Sequence, residues 1–252
     1  MLIEIDKNYF LFVKFMTEII YMPDIESNYI KDFKAIVMNS GKDHVVLDRT
    51  AFYPEGGGQP SDTGKITWDG GEAEVVKVEK KGKIIHRLEG TIPEDDMEVK
   101  GEIDWERRYN HMKIHTAQHL FSAVVYDLFK GETVGNQIYT DYSRVDFEPV
   151  DLSERDLEQI EDEVNVLIQE AHPVSIYTER RVVLEDEIEE GRVNLSLFPK
   201  SIKELRVIDI DGYDICPCAG THVRNTQEIG GIKITDKKNK GKNKQRIYYE
   251  LV

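Results

Sequence analysis

Apolar residues in the first hundred positions recur in short runs rather than at helical spacing. The runs at 35–38, 45–47, 73–78 and 83–88 are β-prone and separated by Gly, Asn and Asp clusters. Strands joined by turns, closing into a small barrel or meander over residues 16–103, are therefore expected. From Asp104 the period changes. Trp105, Tyr109, Met112, Leu120, Val124 and Leu128 stand at mostly helical spacing in a run free of Gly and Pro until Gly131. That predicts a helix of about seven turns. A second helix is predicted over Leu157, Ile160, Val164, Leu167 and Ile168, with Ser153 as its cap and Pro173 near its end. Strands are expected at 174–177, 205–210, 229–234 and 247–251. The fold class is α+β: a β-rich, barrel-like domain at 16–103, then a domain at 104–252 in which two long helices cover an antiparallel sheet.

With 252 residues, 40% hydrophobic and 32% charged, the chain can bury one large core or two small ones. The most apolar stretch near the start, 9–15, is interrupted by Lys14 and preceded by Glu4 and Asp6. It reads neither as a membrane span nor as a secretory signal, and no membrane partner is expected. The segment beginning at Met16 already reads as a first strand, so 1–15 is either an upstream extension or a misassigned start. The two cysteines, in Cys216-Pro217-Cys218, sit too close for an ordinary structural disulfide, which fits a reducing cytoplasm.

A net charge of −15 argues at first against a nucleic-acid partner. Its distribution changes that picture. Residues 151–170 hold eight acids and one base, five of the six residues at 185–190 are acidic, and 237–246 carries six cations and no anion. The last run reads either as a solvated hairpin loop or as an RNA contact.

The chemistry lies in two matched pairs. His115 and His119, in His-Thr-Ala-Gln-His, are four residues apart on the first helix, so both imidazoles emerge on one face within reach of one ion. His111 extends the row by a turn, and a rung spacing of about 5–6 Å keeps all three from sharing an ion; its expected role is structural or supporting. Cys218-Ala-Gly-Thr-His222 repeats the spacing in the turn after the 207–210 strand. Thiolate and imidazole are ligands zinc prefers, and the two pairs make one tetrahedral set, His115, His119, Cys218 and His222, for one Zn²⁺. Cys216 is the rival thiol, read as a small buried hydrophobe. A zinc protease would need Glu directly after the first His, where Thr116 stands. Four ligands fit a structural zinc as well as a hydrolytic one with a labile position, which His222 would supply.

At these residues the chain resembles the editing domain of alanyl-tRNA synthetase, shared by the free-standing AlaX proteins and the related threonyl-tRNA synthetase domain. His115 to Leu120 with Cys218 to His222 is similar to that domain's HxxxH and CxxxH signature. Ala51-Phe-Tyr-Pro-Glu-Gly-Gly-Gly-Gln-Pro-Ser-Asp-Thr-Gly64 resembles the glycine-rich motif that precedes it, and Asp104-Trp-Glu-Arg-Arg-Tyr109 its lead-in. The likeness spans nearly all of 16–252 and is to the medium-length AlaX members, which lack the carboxy-terminal extension of the longer ones. Ala219 departs from it where many relatives have a second Gly.

The resemblance implies a barrel-like N-terminal domain joined to a split α/β editing domain, and removal of Ser, with Gly as a further candidate, from tRNA(Ala). It points to Thr116 and Gln137, with Asn136 as a third choice, as candidates for the groups that sense the substrate hydroxyl; a helix-surface hydroxyl and a loop amide are their plainer readings. A site built to hydrogen-bond that hydroxyl rejects the analogue lacking it by about 10⁴-fold. Gly56, Gly57, Gly58 and Gln59 are candidates for close backbone approach to the RNA terminus, with a tight β-turn as the plainer reading. Lys240, Lys242 and Lys244 are placed to grip phosphate. Two other functions stay open: a zinc-stabilised RNA-binding module without catalysis, and a zinc hydrolase acting on a different small ester. The residues also leave open whether zinc activates water or anchors the substrate.

Overall fold

The structure, a computed structural model, describes residues 16–193 and 195–252; the alternatives for 1–15 fall outside them. No helix among the described residues is long and apolar enough to cross a membrane. The chain forms two compact units, one made of residues up to 21, 29–56 and 61–108, the other of 22–28, 57–60 and 109–252.

The first unit contains β1 (Glu18–Ile19), β2 (Asp32–Ser40), β3 (His44–Leu47), β4 (Arg49–Thr50), β5 (Gly64–Trp68), β6 (Gly71–Lys81), β7 (Lys83–Gly90) and β8 (Glu98–Ile103). Six of these close a barrel in the order β2-β3-β7-β6-β5-β8, and β1 pairs in parallel with β4. Strict alternation fills the barrel. Phe33, Ala35 and Val37 of β2 are buried between exposed Asp32, Lys34 and Ile36, and β8 repeats the pattern with Val99, Gly101 and Ile103. Gly101 faces the Phe33 ring, where a Cβ would come within 2.5 Å of ring carbon.

The glycine-rich motif and the helix lead-in meet in this unit. Arg108 and Asp62 are fully buried and form an ion pair. The Arg108 Nε donates to both Asp62 oxygens at 2.9 and 3.0 Å, and Nη2 donates to the Ala51 carbonyl at 2.6 Å. The Tyr53 N–H also donates to Asp62, at 2.6 Å. Every strong acceptor of the carboxylate is thereby used, which is the condition under which a buried ion pair is tolerated.

The chain enters the second unit through α1 (Trp105–Phe129). Its first turn is capped by Asp104, whose Oδ1 accepts from the Arg107 N–H at 3.2 Å, and it stops at Lys130, which adopts a positive φ of 55°. There follow β9 (Glu132–Ile138), β10 (Ser143–Glu148), α2 (Glu154–Gln169), β11 (Val174–Arg180), α3 (Arg181–Glu187), β12 (Glu204–Ile210), β13 (Asp214–Pro217), β14 (Ile232–Gly241) and β15 (Lys244–Leu251). Ser153 caps α2 in a reciprocal capping box with Asp156. The strands form a four-stranded sheet, β14-β15-β10-β9, and a three-stranded sheet, β11-β12-β13, both antiparallel. Helix α1 covers one face of the larger sheet: Phe121 stacks on Phe147 and Tyr249 at 5.6 and 5.4 Å, and the Tyr249 hydroxyl donates to the Ile114 carbonyl. Side chains of α2 satisfy the edge strand β14, with Asn165 accepting from the Ile232 N–H and Glu161 from the Ile234 N–H.

The α+β class, the barrel and the two long helices are as expected. Three details differ. The second unit carries two sheets rather than one, and the short helix α3 and strands β9, β10 and β13 had no clear apolar period. The strand expected at 229–234 begins at Ile232, because Thr226–Ile229 forms a 3₁₀ turn ended by Gly230 at φ 89°.

Asp62→Ala strands a buried guanidinium and is expected to destabilise the protein by about 3–5 kcal/mol. Chemical denaturation measures this, and a loss below about 1 kcal/mol would show that the pair does not anchor the motif.

Candidate metal centre

Two elements of the second unit bring the ligand pairs together. On α1, His115 and His119 lie one turn apart with ring centroids 5.4 Å apart. On the three-stranded sheet, β13 runs antiparallel to β12 with Asp214 opposite Ile210 and Cys216 opposite Ile208. The period of two puts Asp214, Cys216 and Cys218 on a common side. Beyond the strand the chain turns tightly through Ala219 and Gly220, so that His222 lands beside the helix, 4.4 Å from the His115 ring and 4.9 Å from the His119 ring.

The turn tolerates Ala219 because that residue is exposed. It does not tolerate a side chain at Gly220, where a Cβ would sit 2.1 Å from His115 Cε1. The departure from the familiar double glycine therefore falls at the position where a methyl has room.

One ligand atom from each of His115, His119, Cys218 and His222 lies within 4.8 Å of all the others. All three histidines are buried and the thiol is half-buried. Hydrogen bonds fix which nitrogen of each ring faces the cluster. The Gln59 Oε1 accepts from the Thr221 N–H at 3.1 Å, which settles the orientation of that amide, and it lies 2.9 Å from His115 Nδ1. Nδ1 must then carry the proton, leaving Nε2 as the lone pair, 3.6 Å from the Cys218 sulfur. His119 Nδ1 lies 2.9 Å from Asp214 Oδ2, an acceptor only. Thr116 Oγ1 donates to the Met112 carbonyl at 2.9 Å and accepts from the Val223 N–H, so at 3.3 Å it acts as acceptor toward His222 Nδ1. His222 Nε2 is buried with no hydrogen-bond partner. The Asn28 Oδ1 accepts from the His222 N–H at 2.7 Å and secures its backbone.

The electrostatics match this sorting. Burial alone would raise the Cys218 thiol, but the imidazoles around it hold it well below the usual range. Burial opposes a charge on His119, yet Asp214 and the two thiols hold it well above the usual imidazole range. His222 is pushed well down by burial and by the charge of His115. The site thus favours a thiolate, a neutral imidazole and one compensating positive charge, which a divalent ion supplies in place of the proton on His119. Three nitrogens and one thiolate, with an orphaned buried lone pair among them, fit such an ion. A carboxylate-held or amide-held ring nitrogen is also what supports a metal-bound histidine.

The remaining candidates lie elsewhere or have different neighbours. Thr116 and Gln59 are buried in the support of His222 and His115 rather than lining open space. Gln137 donates from Nε2 to the Gly58 and Ile138 carbonyls, and Asn136 from Nδ2 to the Gly57 carbonyl and Gln118 Oε1. Gly57 and Gly58 form the tight turn these amides hold, both with positive φ of 56° and 83°. The Gly56 carbonyl accepts from the Tyr53 hydroxyl. Lys240, Lys242 and Lys244 stand on the β14–β15 hairpin, outside the cluster. His111 is buried one turn before His115 and is not a member of the cluster. Cys216 is the third corner of a smaller group with His119 and Asp214, and burial raises its thiol. Sequence reading missed Asp214 and Asn28. The signal available for Asp214 was its even spacing from Cys218 along one strand.

Comparison with known proteins shows the family of the chain. Residues 205–248 match the second additional domain of threonyl and alanyl tRNA synthetases, and residues 11–107 match class II (A) tRNA synthetases. The chain thus carries two segments similar to synthetase domains. It is 42% identical over 246 residues to the alanyl-tRNA editing protein AlaX-M of Methanosarcina barkeri, covering 94% of this chain and 100% of that protein. It is 38% identical to AlaX-L of Pyrococcus horikoshii, over 93% of this chain and 58% of that protein. To the alanine–tRNA ligase of Pyrococcus abyssi it is 38% identical over 83% of this chain and 23% of the ligase. The chain belongs to the AlaX family of alanyl-tRNA editing proteins.

Gly220→Ala is expected to abolish metal retention while leaving the fold intact, because the methyl meets only side-chain ends, the His115 ring and, at 3.0 Å, the Gln59 amide oxygen. Asp214→Asn should weaken zinc binding about 10–100-fold. Metal analysis after dialysis, alongside circular dichroism, checks both; full zinc content in Gly220→Ala would contradict the assignment of His115.

Proposed function

We propose that the chain is a trans-editing hydrolase that deacylates mischarged tRNA(Ala), chiefly with Ser and secondarily with Gly, through a single Zn²⁺ held by His115, His119, Cys218 and His222. The observation that carries this reading is the convergence of those four side chains, each imidazole tied at Nδ1 and turned inward, in a chain of the AlaX family. The bond to be broken joins an amino acid to a ribose hydroxyl. A bound zinc ion would supply either a polarised carbonyl or a water of lowered pKa. The chain's own part is to hold protons in place: Asp214 on His119, Gln59 on His115, Thr116 on His222. We assign Thr116 this positioning role, since its hydroxyl is already committed on three sides. Gln137 and Asn136 brace the Gly57–Gly58 turn, which is the part of the motif suited to close approach by an RNA backbone. A reducing cytoplasm is the compartment that suits the thiolate ligand.

Purified protein incubated with Ser-tRNA(Ala), Gly-tRNA(Ala) and Ala-tRNA(Ala) tests the reading. Release of Ser is expected to exceed release of Ala by up to about 10⁴-fold and to stop on chelation. Equal loss of Ser and Ala would remove the editing claim. A folded, zinc-loaded protein that releases neither would favour the non-catalytic module, and cleavage of small esters without tRNA would favour a different hydrolase.

The hairpin lysines give a separate expectation. Reversing Lys240, Lys242 and Lys244 to Glu should weaken tRNA binding and flatten its salt dependence by about 0.7–0.9 log units of slope per lost phosphate contact, without altering the ratio of Ser to Ala release. Unchanged affinity would make the hairpin merely solvated.

A further inference from the structure

The face of the four-stranded sheet turned away from α1 carries features that the zinc site does not use. Phe147 and Tyr249 point under α1, so their neighbours along β10 and β15 point the other way. Cross-strand register puts Arg144 opposite Tyr248, Asp146 opposite Arg246, and Lys238 opposite Arg246, all on that outer face. At the end of the β9–β10 hairpin, Tyr139 and Tyr142 stack with centroids 4.5 Å apart at 22°. Their side chains remain 38% and 40% exposed. Tyr248 continues the row, 6.2 Å from Tyr142, and the Lys238 ammonium stands 4.7 Å over the Tyr248 ring.

We propose that this face is a stacking platform for unpaired bases of RNA, formed by Tyr139, Tyr142 and Tyr248 with Lys238 beside them. The proposal rests on the reading of the chain as RNA-directed and adds the surface that would receive the strand. A hairpin clasp would account for Tyr139 on Tyr142. It would not account for a third ring beside them, tilted at 40°, nor for the Lys238 ammonium over that ring in a chain of net charge −15. Two carboxylates beside the rings are held by neighbouring cations: Asp146 accepts from Arg246 at 2.7 Å and Arg144 at 3.3 Å, and Asp236 lies 3.3 Å from Lys238. Exposed Lys238, Lys240 and Lys242 line the β14–β15 hairpin that runs on from Tyr248. Flat rings for bases and flanking cations for phosphates are the two parts of a single-strand site, and stacking makes such a site tolerant of sequence.

Fluorescence anisotropy with a fluorescein-labelled oligoadenylate of about ten nucleotides tests this on the full chain. Tyr142→Ala is expected to weaken binding about ten-fold, while Tyr142→Phe, which keeps the ring, stays within about two-fold of the unmodified protein. Affinity for an RNA duplex of the same length should be unchanged by either substitution. Thermal melts of both variants establish that the fold is kept. Equal oligoadenylate affinity for the unmodified protein and Tyr142→Ala, or no measurable binding by the unmodified protein, would overturn the platform. Assaying Ser-tRNA(Ala) deacylation on the same samples separates the two claims. Normal deacylation with ring-independent binding removes the platform alone, whereas absent deacylation with ring-dependent binding removes the editing reading and keeps the platform.

Discussion

Three imidazoles and a thiol packed into one buried space compete for protons unless something outside them decides which atoms donate. Here that decision is made by three acceptors of different kinds: an amide oxygen from Gln59, a carboxylate from Asp214 and a hydroxyl from Thr116. Each takes the Nδ1 proton of one ring and leaves the opposite nitrogen directed at Cys218 and the other rings. Burial then works in favour of metal binding, because an inward lone pair such as His222 Nε2 has no other partner.

The fold supplies this arrangement with elementary periodicities. One helical turn separates His115 from His119, and two strand steps separate Asp214, Cys216 and Cys218. Gly220 lets the chain double back against His115 so that His222 completes the set. The glycine-rich motif contributes at two points. Its Gln59 supports a ligand in the second unit, and its Asp62 pairs with Arg108 in the first. The motif is thus tied by buried polar contacts at both ends of a short segment, which explains why a stretch so rich in glycine holds a defined shape.

Much of this is legible in the sequence. The barrel strands at 35–38, 45–47, 73–78 and 83–88 are short β-prone apolar runs, and α1 and α2 carry apolar residues at helical spacing. Strands β5, β8, β9 and β10 escaped because charged residues and glycine dilute their apolar faces, and β13 because it is only four residues long and holds Asp214 and Pro217. The four residues of the cluster were legible because each pair is local in sequence. Their supports were not. Asp214 meets His119 only through the register of β13 on β12, and Gln59 is buried only because residues 57–60 join the second unit. Thr116, first read as a sensor of substrate, acts toward His222 because α1 packs against the turn that carries it. The tyrosine row went unread for the same reason, since Tyr142 and Tyr248 become neighbours only through the β10–β15 pairing.

The account stands on four side chains sharing one ion, and X-ray absorption at the zinc edge on the zinc-loaded protein tests that most directly. One zinc per chain is expected, with a first shell of three nitrogens at about 2.0–2.1 Å and one sulfur at about 2.3 Å. A shell without sulfur, or one that keeps its sulfur when Cys218 is replaced by Ser, would contradict it.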